Sequence, residues 1–263
     1  MKADKKYLPL EMYFSQCTLP SVTLRFQEIE NIMGQQLPNA AYLNSSWWKK
    51  TKPPALHYVA WTNQGYVVEK VDLGNTITFV NEAKPVTTDS TSDHHILIIR
   101  QVDVEDARSI IELQMTIEAE SDFLLYGKDE RKLSVQAMRK RIMEWRKMEN
   151  SAMFVAISDG NYAGFLLLLG NSAPRAKHRA SLFLGVKQEF QRKGIATALI
   201  KHAESFASSQ GVHRLELTVI ATNDAAIALY KHTGFEQEGL RRESMLIDNT
   251  LHDELYMGKI LIK

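Results

Sequence analysis

Hydrophobic and polar positions follow regular patterns in two parts of the chain, with a polar stretch between them. Residues 81–95, NEAKPVTTDSTSDHH, show no hydrophobic period, which predicts a linker. Before it, apolar residues at helical spacing predict a helix over residues 26–33 that ends at a glycine. Two strand-like runs, residues 66–73 and 76–80, flank a Gly-Asn pair that favours a hairpin turn. Helices followed by a hairpin are the element order of a winged helix.

Beyond the polar stretch the pattern is mixed α/β. Long helical periods cover residues 104–120 and 134–147, and an Asp-Gly hairpin signal joins two apolar runs after them. A strand at residues 180–186, a helix at 195–209, a strand at 214–220 and a helix at 224–232 then follow in order, which predicts parallel crossover connections. We therefore predict an N-terminal α+β domain at residues 1–82, a linker at 83–95 and a C-terminal α/β domain at 96–263.

Composition adds few constraints. The chain has 263 residues, 44% hydrophobic and 24% charged, with a net charge of +1, so no global attraction to nucleic acid or anionic membrane is expected. Cys17 is the only cysteine, which excludes an internal disulfide and a cysteine zinc site, and we predict no metal site of any kind. No apolar run approaches the roughly 18 residues of a membrane helix. We expect a cytoplasmic protein.

The clearest candidate site is a turn between a strand and a helix. The strand SLFLGV ends in a polar loop, and the chain re-enters a helix at GIATAL. Small residues at the helix start allow backbone N–H groups to point at an anion, and the helix N-terminus adds partial positive charge. Two basic side chains add formal charge beside it. The anion-binding residues predicted by this pattern are Gln191, Arg192, Lys193, Gly194, Ile195, Ala196 and Thr197.

Two segments of this region together resemble a known family. The run VKQEFQRKGIATALIKHAESFA is similar to the acetyl-CoA-binding segment of the GCN5-related N-acetyltransferases (GNAT family), in which Gln or Arg, two residues, Gly, any residue, and Gly or Ala follow one another. About 30 residues later, LELTVIATNDAAIALYKHTGFEQEG resembles the second block of the family. The residues that match are Gln191, Gly194, Ala196, Asn223, Tyr230, Gly234 and Phe235. The resemblance extends from about Ile96 to Ile262.

The resemblance implies a GNAT acyl-CoA N-acyltransferase fold with a mixed central sheet. It also implies that acetyl-CoA is the acyl donor and that its pantetheine arm pairs with the backbone of Leu184 and Val186, as an added strand would. Asn223 would bond the arm, in addition to acting as a helix N-cap. Tyr230 is implied as the acid that protonates the leaving thiolate, although an aromatic residue at this helical position could also simply pack on the sheet.

The base and the acceptor site are less well defined by the sequence. Glu216 lies in a strand between apolar neighbours, so a raised pKa would suit a general base, but pairing with Arg214 is an equal alternative. The acidic residues Glu118, Glu120 and Asp122 follow the first helix, where the family builds its acceptor site. They could attract a cationic amine or lie in a solvated loop.

The N-terminal region has a basic and aromatic interval of its own. No acidic residue lies between Glu30 and Glu69, and the interval contains Lys49, Lys50, Lys52, His57, Trp47, Trp48 and Trp61. Interleaved cations and aromatics are typical of nucleic-acid contacts, while core tryptophans beside solvated lysines are the alternative. The segment LPNAAYLNSSWWKK resembles a small, poorly characterised bacterial domain, which supports a separate unit.

The sequence thus predicts an enzyme that moves an acetyl group from acetyl-CoA to a primary amine of a small molecule or a protein. The alternative is a regulator that binds nucleic acid through the N-terminal domain and senses acetyl-CoA. The sequence leaves open whether the N-terminal domain contacts nucleic acid or protein, and whether the protein forms a homodimer. It does not identify the acceptor.

Overall fold

The computed structural model describes residues 3–52, 55–84 and 96–261. It divides into two compact units, one formed by Met1–Arg100 with Ile157–Tyr162 and the other by Gln101–Ala156 with Ala163–Lys263. Most of the linker predicted at 83–95 lies outside the described residues, and the domain boundaries stay a prediction. No helix within the described ranges is both long and apolar enough to cross a membrane.

The first unit combines short helices with a three-stranded antiparallel sheet of order β1-β3-β2. Its elements are α1 (Leu8–Gln16), β1 (Ser21–Arg25), α2 (Phe26–Met33), α3 (Asn39–Leu43), α4 (Ser45–Lys49), α5 (Val59–Thr62), β2 (Val67–Asp72) and β3 (Thr76–Val80). Phe14 packs edge-on against Phe79 of the central strand, with ring centroids 4.7 Å apart. Gly34 ends α2 with φ 74°, as its position after the apolar period predicts. The winged-helix assignment stays a prediction.

A seven-stranded sheet of order β4-β5-β6-β7-β8-β10-β9 contains the candidate site. Its strands are β4 (Leu97–Gln101), β5 (Ala152–Ser158), β6 (Asn161–Gly170), β7 (Arg179–Val186), β8 (Arg214–Ile220), β9 (Glu236–Ile247) and β10 (Thr250–Ile260). The helices that follow β4 in the chain are α6 (Ala107–Ala119), α7 (Val135–Lys147), α8 (Ile195–Ser209) and α9 (Asp224–His232). The predicted parallel crossover is present as β7–α8–β8, whereas β8 and β10 pair antiparallel. The sheet is therefore mixed, as expected.

Helices cover the sheet through close contacts that sequence patterns alone do not specify. Gly185 of β7 faces α6, where an added Cβ would lie 3.0 Å from Ile117. The aromatic ring of Phe154 in β5 meets two rings of α8, His202 at 4.8 Å and Phe206 at 5.4 Å. These contacts hold α8, and so its N-terminus, at a defined place beside β7.

Candidate functional site

The two central strands β7 and β8 separate partway along their length. They pair in parallel only from Arg179–Arg214 to Ser181–Glu216. On its other side, β7 stays paired with β6 as far as Val186. The last five residues of β7 therefore have a sheet partner on one side and an unpaired edge on the side of β8.

Backbone alternation along β7 decides which groups face this unpaired edge. The N–H of Lys187 donates to the carbonyl of Ala163, at 2.9 Å, so Lys187 and Gly185 face β6. Leu184 and Val186 alternate with them, and their N–H and C=O groups point away from β6. These are the two residues that the family resemblance implies as partners of an extended ligand arm, and their geometry fits the addition of a strand.

The predicted anion-binding turn lies between the end of β7 and the start of α8. Gly194 is the N-cap of α8 with φ 77°, and Arg192 also has positive φ, 62°. The first helical bond that returns to the turn runs from Ala198 N–H to Gly194 O, at 3.0 Å. The N–H groups of the preceding residues Ile195 to Thr197 thus have no carbonyl inside the helix to bond, and the helix dipole adds positive potential there.

Side chains of the turn complete an exposed, positively charged rim. Arg192 and Lys193 are both exposed, and the Lys193 ammonium lies 5.4 Å from the centre of the Phe190 ring. Gln191 turns back and donates from Nε2 to the Val186 carbonyl at 3.2 Å, so it ties the turn to the end of β7. A Cβ on Gly194 would meet no atom within 4 Å, so the space above this residue is accessible to a ligand.

Asn223 lies at the N-cap of α9. Its Oδ1 accepts a hydrogen bond from the Ala226 N–H at 3.1 Å, which confirms the capping role. Its amide nitrogen donates to none of the described residues. The same side chain therefore has a donor left for a ligand, and the two predicted roles are compatible.

Tyr230 is buried in α9 with 8% of its surface exposed. Its ring contacts Phe235 in a T-shaped arrangement with centroids 5.8 Å apart. Burial disfavours the phenolate and raises the pKa of Tyr230 to about 12. The hydroxyl stays protonated at neutral pH, as a proton donor requires.

Glu216, the candidate base, is engaged by two guanidinium groups. It is 9% exposed, and its carboxylate contacts Arg179 Nη1 at 3.1 Å and Arg214 Nε at 3.3 Å. Of the two alternatives for Glu216, a general base or an ion pair with Arg214, the structure contains the ion pair. Glu216 also lies on the last paired rung of β7 and β8, and not beside the unpaired edge.

The three acidic residues after the first helix have different surroundings. Glu118 is buried and forms an ion pair with Arg131, and Glu120 accepts a hydrogen bond from the Gln188 N–H at 2.7 Å. Asp122 is exposed and makes no hydrogen bond or ion pair with the described residues. It lines a cavity of about 270 Å³, together with Phe123, Ile247, Asp248, Thr250 and His252. Of the three, only Asp122 has a carboxylate without a partner among the described residues.

Several residues around these groups were not identified from the sequence. Asp248 and His252 join Asp122 across the β9–β10 turn, and Arg179 and Glu238 join the carboxylate network of β8. Their neighbours depend on strand register, for which a single sequence has no signal. Two short helices, α3 and α4, were also missed, because five residues are too few to display a helical period.

The tryptophans of the first unit belong mainly to its core. Trp48 and Trp61 are each 1% exposed, so bases cannot stack on them, and Trp47 lies flat on His57 with centroids 3.8 Å apart. Lys49, Lys50 and Lys52 are exposed. The interpretation as core tryptophans beside solvated lysines is confirmed, and nucleic-acid contact through the lysines stays a prediction.

Residues 116–235 match the sequence pattern of the family described as Acetyltransferase (GNAT) family, and residues 7–83 match a domain of unknown function, DUF7662. The chain is 33% identical over 107 residues to the L-amino acid N-acetyltransferase AaaT of Escherichia coli (strain K12). The aligned region covers 40% of this chain and 66% of that protein. It is 42% identical over 80 residues to the [ribosomal protein bS18]-alanine N-acetyltransferase of the same strain. This aligned region covers 30% of this chain and 54% of that protein. The chain thus spans about half to two thirds of these curated relatives.

A solved structure shares the fold. It is a GNAT superfamily phosphinothricin acetyltransferase (Pat) from Sinorhizobium meliloti in complex with AcCoA. The likeness has a TM-score of 0.57 at 18% identity, and it covers 63% of this chain and 88% of that chain. At this identity the likeness concerns the fold alone.

Proposed function

We propose that this protein, whose residues 116–235 belong to the acetyltransferase (GNAT) family, transfers an acetyl group from acetyl-CoA to an amine. The observation that carries the proposal is the early end of the β7–β8 ladder at Ser181–Glu216. It leaves Leu184 and Val186 without a partner strand on the side of β8, beside the N-terminus of α8. An extended arm that ends in a pyrophosphate matches both features, because the arm needs a strand edge and the pyrophosphate needs an anion site.

In this proposal the donor lies along β7 and its pyrophosphate lies on the turn. The N–H groups from Arg192 to Thr197 bind phosphate oxygens, while the Gln191 N–H donates to the Gln188 carbonyl at 3.2 Å. Arg192 and Lys193 add charge at the rim. The arm forms backbone hydrogen bonds with Leu184 and Val186, and the free amide nitrogen of Asn223 donates to it. The complex of AcCoA with the Sinorhizobium meliloti protein of the same fold supports this choice of donor.

The proposed reaction is direct attack of the amine on the thioester. The acceptor must first lose a proton, because a free alkyl amine with a pKa of about 10 is neutral in roughly one molecule in a thousand at pH 7. Attack of the nitrogen forms a C–N bond and a tetrahedral oxyanion, which a backbone N–H of β7 stabilises. Collapse breaks the C–S bond, and the Tyr230 hydroxyl gives its proton to the leaving thiolate. The nitrogen gives its extra proton to water, and water returns a proton to Tyr230, so the products are the amide and the free thiol.

The acceptor is proposed to bind at the cavity lined by Asp122. The Asp122 carboxylate has no partner within the described part of the chain, and it lies beside Asp248 and Phe123, so the cavity suits a cationic amine attached to an apolar group. The amine acceptors named for the two curated relatives, an L-amino acid and a ribosomal-protein alanine, support an amine as the acceptor class.

Asp122→Asn is expected to raise KM for the amine about two- to fivefold, since an exposed ion pair contributes at most about 1 kcal/mol. KM for acetyl-CoA and kcat should stay unchanged. The matched control is Asp129→Asn, the same chemical change in another cavity, of about 240 Å³, which Asp129 lines together with Lys128 and Arg131. Steady-state kinetics with the two purified variants measure KM for the amine. A larger increase of this KM in Asp129→Asn than in Asp122→Asn would place the acceptor in the cavity lined by Asp129.

The proposed function is tested by thiol release from acetyl-CoA with a panel of acceptors. The panel contains free L-amino acids, polyamines and peptides with free N-termini, and the acetylated product is identified by mass spectrometry. We expect at least one amine to accelerate thiol release above the rate of hydrolysis. Absence of any amine-dependent release, while calorimetry detects no binding of acetyl-CoA, would refute the function.

A further inference from the structure

A network of charged side chains crosses the sheet at the base of the gap between β7 and β8. Arg179 and Arg214 lie outside both sequence segments that resemble the family's donor site, and Glu216 and Glu238 lie within the second. Residues paired across strands lie on the same face of a sheet, so Ser181 of β7, Glu216 of β8 and Gly258 of β10 share one face.

The network connects three strands by direct contacts and passes over a fourth. Arg179 of β7 contacts the Glu216 carboxylate at 3.1 Å, and Arg214 contacts the same carboxylate at 3.3 Å. Arg214 also donates from Nη1 to Glu238 of β9 at 2.7 Å, and its Nη2 bonds the second oxygen of Glu238. The hydrogen bond with Glu238 raises the pKa of Arg214 and lowers that of Glu238. Both oxygens of each carboxylate thus meet a guanidinium.

Gly258 provides the space through which the network passes over β10. A Cβ at this position would lie 2.5 Å from Glu238 Oε1 and 2.7 Å from Arg214 Nη2. Both of these atoms are at the far ends of flexible side chains, so an added methyl group would displace the ion pair and leave the backbone of β10 in place. Burial raises the pKa of Tyr256, two residues earlier in β10, and the neighbouring Glu216 carboxylate acts in the same direction.

We propose that Arg179, Glu216, Arg214 and Glu238 form a clamp that sets the point at which β7 and β8 diverge, and so position the β7 edge for the acyl-CoA arm. This inference rests on the proposed function of the same site. The clamp acts on the last paired rung, Ser181–Glu216. The position of the unpaired edge relative to β8 depends on how firmly that rung is held.

Glu216 is accordingly a positioning residue and not the general base. At a rise of about 3.3 Å per residue, the rung at Ser181 lies roughly 10 Å along the strand from Leu184. A general base must come within about 3.2 Å of the proton that it removes, or act through one water. Glu216 is too far from the edge at Leu184 for that contact, and both of its oxygens are occupied by arginine.

Two variants test the clamp independently. Glu216→Gln removes the charge at its centre, and Gly258→Ala displaces the Arg214–Glu238 pair while every charged residue is retained. We expect each to raise the Kd and KM for acetyl-CoA about tenfold, with kcat within about threefold of the wild-type value, because a displaced edge misplaces the whole arm. The shape of the pH–rate profile should not change. The control is Gly239→Ala in β9, where an added Cβ meets no atom within 4 Å.

The outcomes separate the alternatives. A large loss of kcat in Glu216→Gln, with the acidic limb of the pH profile abolished and KM unchanged, would make Glu216 the base and overturn the clamp. Equal behaviour of Gly258→Ala and Gly239→Ala would also overturn it, even if Glu216→Gln does not fold. Failure of the wild-type protein to bind acetyl-CoA in calorimetry would instead reject the proposed function, so the two failures are distinguishable.

Discussion

Tyr230→Phe is expected to lower kcat about 10²- to 10⁴-fold, the usual contribution of a positioned general acid or base. The substitution removes only the hydroxyl, so the buried ring can keep its contact with Phe235. Affinity for acetyl-CoA and the melting temperature should therefore stay close to the wild-type values. Single-turnover kinetics, together with calorimetry on the same preparations, separate a loss of chemistry from a loss of binding.

Two further measurements define what the hydroxyl does. Because the pKa of Tyr230 is raised to about 12, its acid form persists to high pH, and kcat should show no alkaline loss from Tyr230 below about pH 10. An acyl donor with a more acidic leaving group, such as p-nitrophenyl acetate, needs less help from an acid. The deficit of Tyr230→Phe should shrink with this donor, whereas an equal deficit with both donors would contradict protonation of the leaving group.

Gly194→Asp is expected to weaken acetyl-CoA binding about 10- to 100-fold more than Gly194→Asn does. Both side chains tolerate the positive φ of this position, and a Cβ here meets no protein atom within 4 Å. They differ mainly in one negative charge. A charge about 4 Å from a phosphate costs roughly 1 kcal/mol in a medium like water and about 4 kcal/mol near a protein surface.

Calorimetric titration with acetyl-CoA at two salt concentrations measures this difference. The difference in acetyl-CoA affinity between the two variants should decrease at high salt, because ions screen exposed charges. Dephospho-CoA and pantetheine serve as shortened probes, and pantetheine lacks the pyrophosphate, so it should bind both variants alike. Equal affinities of Gly194→Asp and Gly194→Asn for acetyl-CoA would show that no phosphate lies at the turn.

Local sequence signals were sufficient for the elements that surround the donor site. The predicted ranges 195–209, 214–220 and 224–232 coincide with α8, β8 and α9. Each has a strong period and a clear boundary: Gly194 precedes the first helix, and Asn223 caps the second. The hairpin turn at Asp159 and Gly160 was equally readable, because both residues adopt the positive φ that such turns require.

The candidate base and the candidate acceptor residues were less predictable. Glu216 is flanked by apolar residues in the sequence, which suggested a desolvated carboxylate. Its partner Arg179 lies 37 residues away and meets it only because β7 and β8 pair in one particular register. The same holds for Glu118, whose partner Arg131 comes from the segment between α6 and α7.

The sequence by itself determined that an anion site follows a strand, that a tyrosine lies about two helical turns after an asparagine cap, and which family these segments resemble. Such features are local, since backbone propensity, capping and spacing act within about 15 residues. Tertiary structure decided that the β7–β8 ladder stops at Ser181, that Leu184 and Val186 have no partner strand on that side, and that Glu216 is enclosed by arginines. These depend on the register and divergence of strands distant in the chain, which packing selects and no single segment encodes.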